Sequence, residues 1–160
     1  MNKKVLGVFV TLLTVSMLAL SMSPANATQS TTVTWQSFSG SYLPPFTPPQ
    51  SAGENTIYTA NRAKTYTGDI EATGISHFRM VMHKDGVTTS ATTTVAVTQL
   101  MGQSVEGTLT LKHGSIGLWR IISGTGDLAN LRGQGTIYKD ENTPAGAYTF
   151  SGKVHFDPNV

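Results

Sequence analysis

The chain has 160 residues, of which 39% are hydrophobic and only 12% are charged, and it contains no cysteine. The lack of cysteine excludes disulfides, thiolate metal sites and a cysteine nucleophile. The length suits one domain, and replacement of charge by Thr and Ser favours β-structure over charged amphipathic helices.

The first 27 residues have the layout of a secretory signal peptide. Lys3 and Lys4 precede the apolar stretch Val5 to Leu20, and Ala25-Asn26-Ala27 is a small-x-small cleavage site. The stretch is shorter than the ~20 residues of a spanning helix, which favours cleavage over a retained anchor. We therefore expect a protein that is secreted or held in the cell envelope, with no stable membrane insertion after cleavage.

The charge balance restricts the partners of the mature chain. Two of the 11 basic residues lie in the predicted signal, and the nine that remain balance the nine acidic residues. The basic residues are also scattered along the sequence. Nucleic acids require clustered Lys and Arg, so a nucleic-acid partner is not expected.

Residues 28–53 are predicted to form an N-terminal strand followed by a proline-rich loop. The strand is Val33 to Phe38, where apolar and polar residues alternate. Pro44-Pro45 and Pro48-Pro49 then remove backbone donors and fix φ, which predicts an extended loop between Gly40 and Gly53 and not a strand interior.

Residues 54–160 are predicted to form one all-β domain. Strands alternate with Gly, Asn and Asp turns, of which Asp85-Gly86 is a typical hairpin turn. The candidate strands are Thr56–Ala60, Ala63–Ile70, Ile75–Met82, Ser90–Gln99, Val105–His113, Leu118–Ser123, Gly133–Lys139 and Ala147–Phe156. Each has one apolar face, which predicts a closed antiparallel barrel or a sandwich.

The most distinctive segment is Ser123 to Thr136, SGTGDLANLRGQGT. It resembles the signature of an uncharacterised bacterial family, a domain of unknown function in the allene oxide cyclase-like and dirigent-like β-barrel superfamily. Tyr66 to Gly74 resembles the family's acidic Gly strand pair. Val105 to Gly114 resembles its Gly-x-Phe-x-Leu-x-His strand, with Leu109 at the aromatic position.

The resemblance covers residues 60–157 and implies an eight-stranded antiparallel closed β-barrel. It implies little about activity, because most members of this branch have no assigned reaction. It has no counterpart for the proline-rich segment before residue 54.

Within the signature, Gly124-x-Gly126-x-x-Ala129 formally matches a dinucleotide-binding fingerprint. That fingerprint requires a following helix, whereas strand-like residues follow here. We therefore interpret Gly124, Gly126, Gly133 and Gly135 as a structural turn between neighbouring strands. Arg132 is either a partner of Asp127 across this turn or an anion-binding group.

Five residues are candidates for ligand binding: Asp69, Glu71, Glu106, Trp119 and Arg132. A carboxylate inside a barrel would have a raised pKa and serve as a general acid or base. The alternative is that the three carboxylates face solvent beside Thr and Lys, and that Trp119 belongs to the core. The sequence has no metal-ligand spacing and no nucleophile elbow, so neither a metal nor another cofactor is expected.

Three functions remain open at this point. The first is an exported barrel that binds a small apolar ligand or a partner protein, since small barrels can hold one ligand in the lumen. The second is an isomerase or cyclase of allene oxide cyclase-like type, acting on an apolar substrate in the lumen; whether the protein is an enzyme is left undecided. The third is a structural homo-oligomer of the cell envelope.

Overall fold

The structure is a computed structural model that describes residues 29–158, except for the side chains of residues 45 and 46. The predicted signal peptide, residues 1–27, lies outside the described residues. Eight antiparallel strands form a closed barrel in which each pairs with the next and β8 pairs with β1. This confirms the eight-stranded antiparallel closed barrel predicted from the sequence.

The strands are β1 Thr31–Ala52, β2 Asn55–Gly68, β3 Ile70–His83, β4 Gly86–Leu100, β5 Gln103–His113, β6 Gly117–Gly124, β7 Leu131–Tyr138 and β8 Ala147–Phe156. A single 3-10 turn, Gly126–Leu128, connects β6 to β7. Within the described range there is no helix with the length and hydrophobicity needed to cross a membrane.

The proline-rich segment is part of β1, which corrects the loop predicted for it. β1 pairs with β8 only from Thr31 to Phe38, and beyond Phe38 its neighbour is β2. A strand with one neighbour needs fewer backbone donors, so prolines are tolerated there. The β1–β2 register shifts three times between Ser39 and Gln50, the region that holds the prolines.

Side chains fill the barrel at one end, which we call the sealed end. It contains the starts of β1, β3, β5 and β7 and the ends of the other four strands. The core there includes Val33, Trp35, Tyr66, Ile70, Val95, Leu109, Leu111, Trp119, Leu128, Leu131, Phe150 and Val154. Each of these residues is no more than 2% exposed, so side chains fill this half of the barrel and leave no open lumen.

Four aromatic rings lie at the middle of the barrel. Trp35 is in contact with Trp119, Phe150 and Tyr66, with ring centroids 4.7, 5.1 and 6.2 Å apart. Trp119 fits because β8 has a glycine beside it: a Cβ at Gly152 would lie 2.6 Å from the Trp119 ring. This aromatic layer separates the sealed end from the opposite end, which we call the mouth.

Candidate functional site

The inward-facing residues change from apolar to polar as the strands leave the aromatic layer towards the mouth. On β1, Val33 and Trp35 are followed on the same face by Ser37 and Ser39, because side chains alternate along a strand. On β2, Tyr66 is followed towards the mouth by Lys64 and Arg62. The next polar layer comes from β3, β4 and β5: Ser76, Thr93 and His113, all buried.

These residues surround a cavity of about 70 Å³ at the mouth. Arg62, Lys64, Ser39, Ser76 and His113 contribute its polar wall. Phe78, Tyr148 and Phe150 contribute aromatic surface. Since one water needs about 10–15 Å³ of such space, the cavity has room for about five to seven waters or one small molecule.

Lys64 places its ammonium group inside this polar wall. Its Nζ donates to Ser39 Oγ at 2.6 Å and to Ser37 Oγ at 3.4 Å. Burial, together with the neighbouring Arg62 charge, lowers the pKa of Lys64 from 10.5 to about 8. A substantial minority of the Lys64 amine is therefore neutral near pH 7.5.

Arg62 stands two residues from Lys64 on the same face of β2. Its guanidinium carbon lies 4.4 Å from the centre of the Tyr42 ring, a cation–π contact. Its Nε is buried, and no described residue accepts a hydrogen bond from it. No Asp or Glu is among the described residues that line the cavity, so neither cation meets a carboxylate there.

A hydrogen-bonded chain of side chains crosses the wall opposite Lys64. Thr93 Oγ1 is hydrogen-bonded to Ser76 Oγ and to His113 Nε2, both at 2.9 Å. His113 Nδ1 donates to the Gly114 carbonyl at 2.6 Å. Burial lowers the pKa of His113, and the Lys64 charge adds to the shift, so the ring is neutral at pH 7, with Nε2 accepting from the Thr93 hydroxyl.

Tyr66 has the same parity as Lys64 on β2 and belongs to the aromatic layer, which forms the floor of the mouth. Its hydroxyl is buried beside Thr93 and Ser37 but forms no well-aligned hydrogen bond in the described part of the protein. Burial raises the pKa of Tyr66, so its hydroxyl keeps its proton at neutral pH. The floor therefore offers a neutral donor beneath the two cations.

None of the five residues proposed from the sequence is in the lining of this cavity. Asp69 accepts from the Thr34 amide at 2.7 Å near the sealed end, and Glu71 and Glu106 are exposed. Trp119 is part of the core, where its Nε1 donates to the Ser151 carbonyl at 3.2 Å. A role for these residues in binding stays a prediction.

Arg132 and the glycines belong to the connection between β6 and β7. An Nη of Arg132 donates to the carbonyls of Leu131 and Ala129, at 3.1 and 3.3 Å. Asp127 accepts from the Glu106 amide at 2.9 Å. Gly126 lies in the turn with φ +59°, whereas Gly124 ends β6, and Gly133 and Gly135 lie inside β7.

The sequence contains a signal for the cavity residues that were not predicted. Arg62 and Lys64 have the same parity as Tyr66, which lies on the apolar face of its strand. His113 has the same parity as Leu109 and Leu111. A charged residue in phase with the apolar face of a strand is placed inside a barrel, and that rule identifies all three.

Comparison with known proteins agrees with this fold. A solved structure of a protein of unknown function from the DUF3224 family of Shewanella oneidensis MR-1 is 18% identical, with a TM-score of 0.59. The match covers 81% of this chain and 98% of that one. A search of curated proteins gives no match.

Two dirigent structures were also found. The pterocarpan synthase dirigent proteins GePTS1 and PsPTS1 are 15% and 16% identical, both with a TM-score of 0.46. The matches cover 81% and 82% of this chain, and 89% and 98% of the respective dirigent chains.

The family itself is established by sequence. Residues 36–151, well over half of the chain, match the family described as "Protein of unknown function (DUF3224)". This confirms the uncharacterised family expected from the glycine-rich signature and its two companion segments. The protein is a member of the DUF3224 family.

Proposed function

We propose that the mouth of the barrel binds a small organic anion. The observation that carries the proposal is the pair of inward-facing cations, Arg62 and Lys64, in a cavity whose described lining contains no carboxylate. Desolvated charges without a counter-charge are costly, and proteins usually pair them. A bound anion would supply the missing partner.

The geometry favours a carboxylate on a short apolar body. Arg62 has an unused buried Nε, and a guanidinium presents a planar fork that suits carboxylates. Phe78, Tyr148 and Phe150 provide apolar contact beside the cations. The apolar ligand expected from the strand faces is thereby refined to one with an acidic group at one end.

A titration with matched acid and amide tests this proposal. We expect butyrate to bind the purified protein at low salt at least about tenfold more tightly than butyramide, since a charge-assisted hydrogen bond contributes about 1.5–3 kcal/mol. Arg62→Gln should weaken butyrate binding by about 10- to 100-fold. Isothermal calorimetry measures both.

The control is the same substitution on the outer surface. Arg120 is exposed on β6, so Arg120→Gln removes an equal charge without touching the cavity. Thermal melting of each variant confirms that it is folded. Equal affinity for butyrate and butyramide, or equal losses from the two substitutions, would contradict the proposal.

A second candidate function is the isomerase or cyclase, now with an acidic substrate. The chain Ser76–Thr93–His113 favours it, because Ser76 lines the cavity and the two hydroxyls can relay a proton from a bound molecule to the neutral imidazole. In that case His113→Gln should abolish solvent-deuterium incorporation into a bound acid while leaving its affinity within about threefold, a change of under 1 kcal/mol. Incorporation that survives the substitution would exclude His113 as the base.

The predicted signal peptide would place this binding activity in the cell envelope or the medium. That location is part of the proposal. Fractionation of cells that produce the full chain tests it, with cleavage after Ala27 expected in the exported form.

A further inference from the structure

The amine of Lys64 is a nucleophile in the wall of the cavity, where its Nζ lies 2.6 Å from Ser39 Oγ. Lysine amines act as nucleophiles when burial or a neighbouring cation favours the neutral form. Lys64 meets both conditions, since it is desolvated and next to Arg62 on β2. At pH 8 about half of the Lys64 amines are neutral.

The surroundings of the amine provide the other parts that imine chemistry needs. Ser39 Oγ lies 2.6 Å from Lys64 Nζ and can pass a proton to or from it. Arg62 offers a carboxylate site two residues away. The cavity volume of about 70 Å³ favours a small molecule as the partner.

We infer that Lys64 captures a small 2-oxo acid as a reversible imine, with the carboxylate of the acid held by Arg62. The inference rests on the proposed anion-binding function and names its ligand class. In a 2-oxo acid the carbonyl carbon is bonded directly to the carboxylate. Arg62 and Lys64 lie two residues apart on β2 and line the same cavity, so a short molecule in that cavity can face both.

The step balances without an oxidant or a reductant. The neutral Nζ attacks the carbonyl carbon, a C–N bond forms, and the electron pair of the C=O bond moves to oxygen. One proton moves from nitrogen to that oxygen, which gives a carbinolamine. The hydroxyl then leaves as water with the second proton of the amine, and the nitrogen lone pair forms the C=N bond. Hydrolysis reverses the sequence.

Reductive trapping tests the inference. We expect pyruvate with sodium cyanoborohydride at pH 7.5 to add one reduced adduct per chain, located on Lys64 by peptide mapping. Pyruvamide, which keeps the ketone but lacks the carboxylate, should label Lys64 at least about tenfold more slowly, as one charge-assisted contact implies. Lactate, which has the carboxylate but no ketone, should slow labelling by competition.

Variants separate the role of the amine from that of the charge. Lys64→Arg keeps a cation but removes the nucleophile, so the reduced adduct should disappear whatever affinity for pyruvate the variant retains. Arg62→Gln should keep the nucleophile and reduce labelling at low pyruvate concentration. Lys112, exposed on the outer face of β5, is the internal control for non-specific labelling in the wild-type protein.

The outcomes distinguish this inference from the proposal beneath it. Calorimetric binding of pyruvate without an adduct on Lys64 overturns imine formation and leaves anion binding intact. Labelling of Lys64 and Lys112 at equal rates also overturns it. If pyruvate neither binds nor forms an adduct, both imine formation and anion binding are overturned.

Discussion

The Lys64 ammonium should make the stability of the protein depend on pH in a defined direction. Its pKa is about 8 in the folded protein, against an ordinary value of 10.5 that applies to the unfolded chain. Below pH 8 both states hold the proton, and the full cost of the desolvated charge is present. Between pH 8 and 10.5 the unfolded chain binds more protons than the folded one, so stability rises with pH.

The size of the effect follows from the shift. A displacement from 10.5 to about 8 corresponds to at most about 3.5 kcal/mol at about 1.4 kcal/mol per pH unit. Lys64 is only partly buried, and solvent at the mouth screens the charge, so we expect about 1–2 kcal/mol. About three quarters of this gain should be present at pH 10, since the unfolded amine with its pKa of 10.5 is still mostly protonated there.

The assay is urea unfolding of the wild type and of Lys64→Met at pH 7 and pH 10, at low salt. Methionine keeps the length of the side chain and does not titrate. The difference in unfolding free energy between the two proteins should move by about 1–2 kcal/mol in favour of the wild type as the pH rises.

The groups that face Lys64 should not obscure this result. Burial lowers the pKa of His113, which keeps it neutral above pH 7, and burial raises the pKa of Tyr66. Titration elsewhere is common to both proteins and cancels. Parallel pH dependences, or a wild type that loses stability relative to Lys64→Met, would refute the reasoning.

Two further predictions concern a close backbone contact at the sealed end and a buried hydrogen bond at the mouth. Gly126→Ala should lower the free energy of unfolding by about 1–3 kcal/mol more than Gly53→Ala does. Both glycines have a left-handed φ, +59° and +65°, but only at Gly126 would the new Cβ collide with a backbone carbonyl. Equal melting temperatures would show that the close approach is not rigid. Thr93→Val should cost about 1–3 kcal/mol in urea unfolding, because buried His113 loses its partner. Thr94→Val, on the exposed face of β4, is the control, and a similar loss there would assign the cost to the strand and not to the buried hydrogen bond.

The barrel was predictable from the sequence because alternation is a local property. Each strand from β3 to β8 contains a segment with one apolar face, and the turns between them carry glycine or aspartate. The second half of β1 was not predictable, because its prolines are compatible with a strand only if that strand has a single neighbour. Pairing partners are set by the whole sheet, and no local pattern shows that β8 leaves β1 after Phe38.

The site was harder to predict than the fold, for a related reason. Asp and Glu are the usual candidates for a general acid or base, and three of the five predicted binding residues are therefore carboxylates. The structure instead brings together Arg62, Lys64 and His113, which are separated by up to 51 positions in the sequence. Parity places each of them inward, but only the register shows that they share one end of the lumen.

The two ends of the barrel explain how the protein tolerates uncompensated cations. The sealed end buries two Trp, a Phe and a Tyr in one aromatic layer, and a fully buried large side chain contributes about 1.5–3 kcal/mol. A cost of about 1–2 kcal/mol at Lys64 is small beside that layer. The packing of the sealed end therefore offsets the cost of the two cations at the mouth. Binding sites commonly keep such unfavourable charges at the expense of stability, and a bound anion would neutralise them. Lys64→Met should therefore impair anion binding without unfolding the barrel. Removal of an aromatic ring, such as that of Trp35, should lower the free energy of unfolding and should reduce anion binding only through loss of the fold.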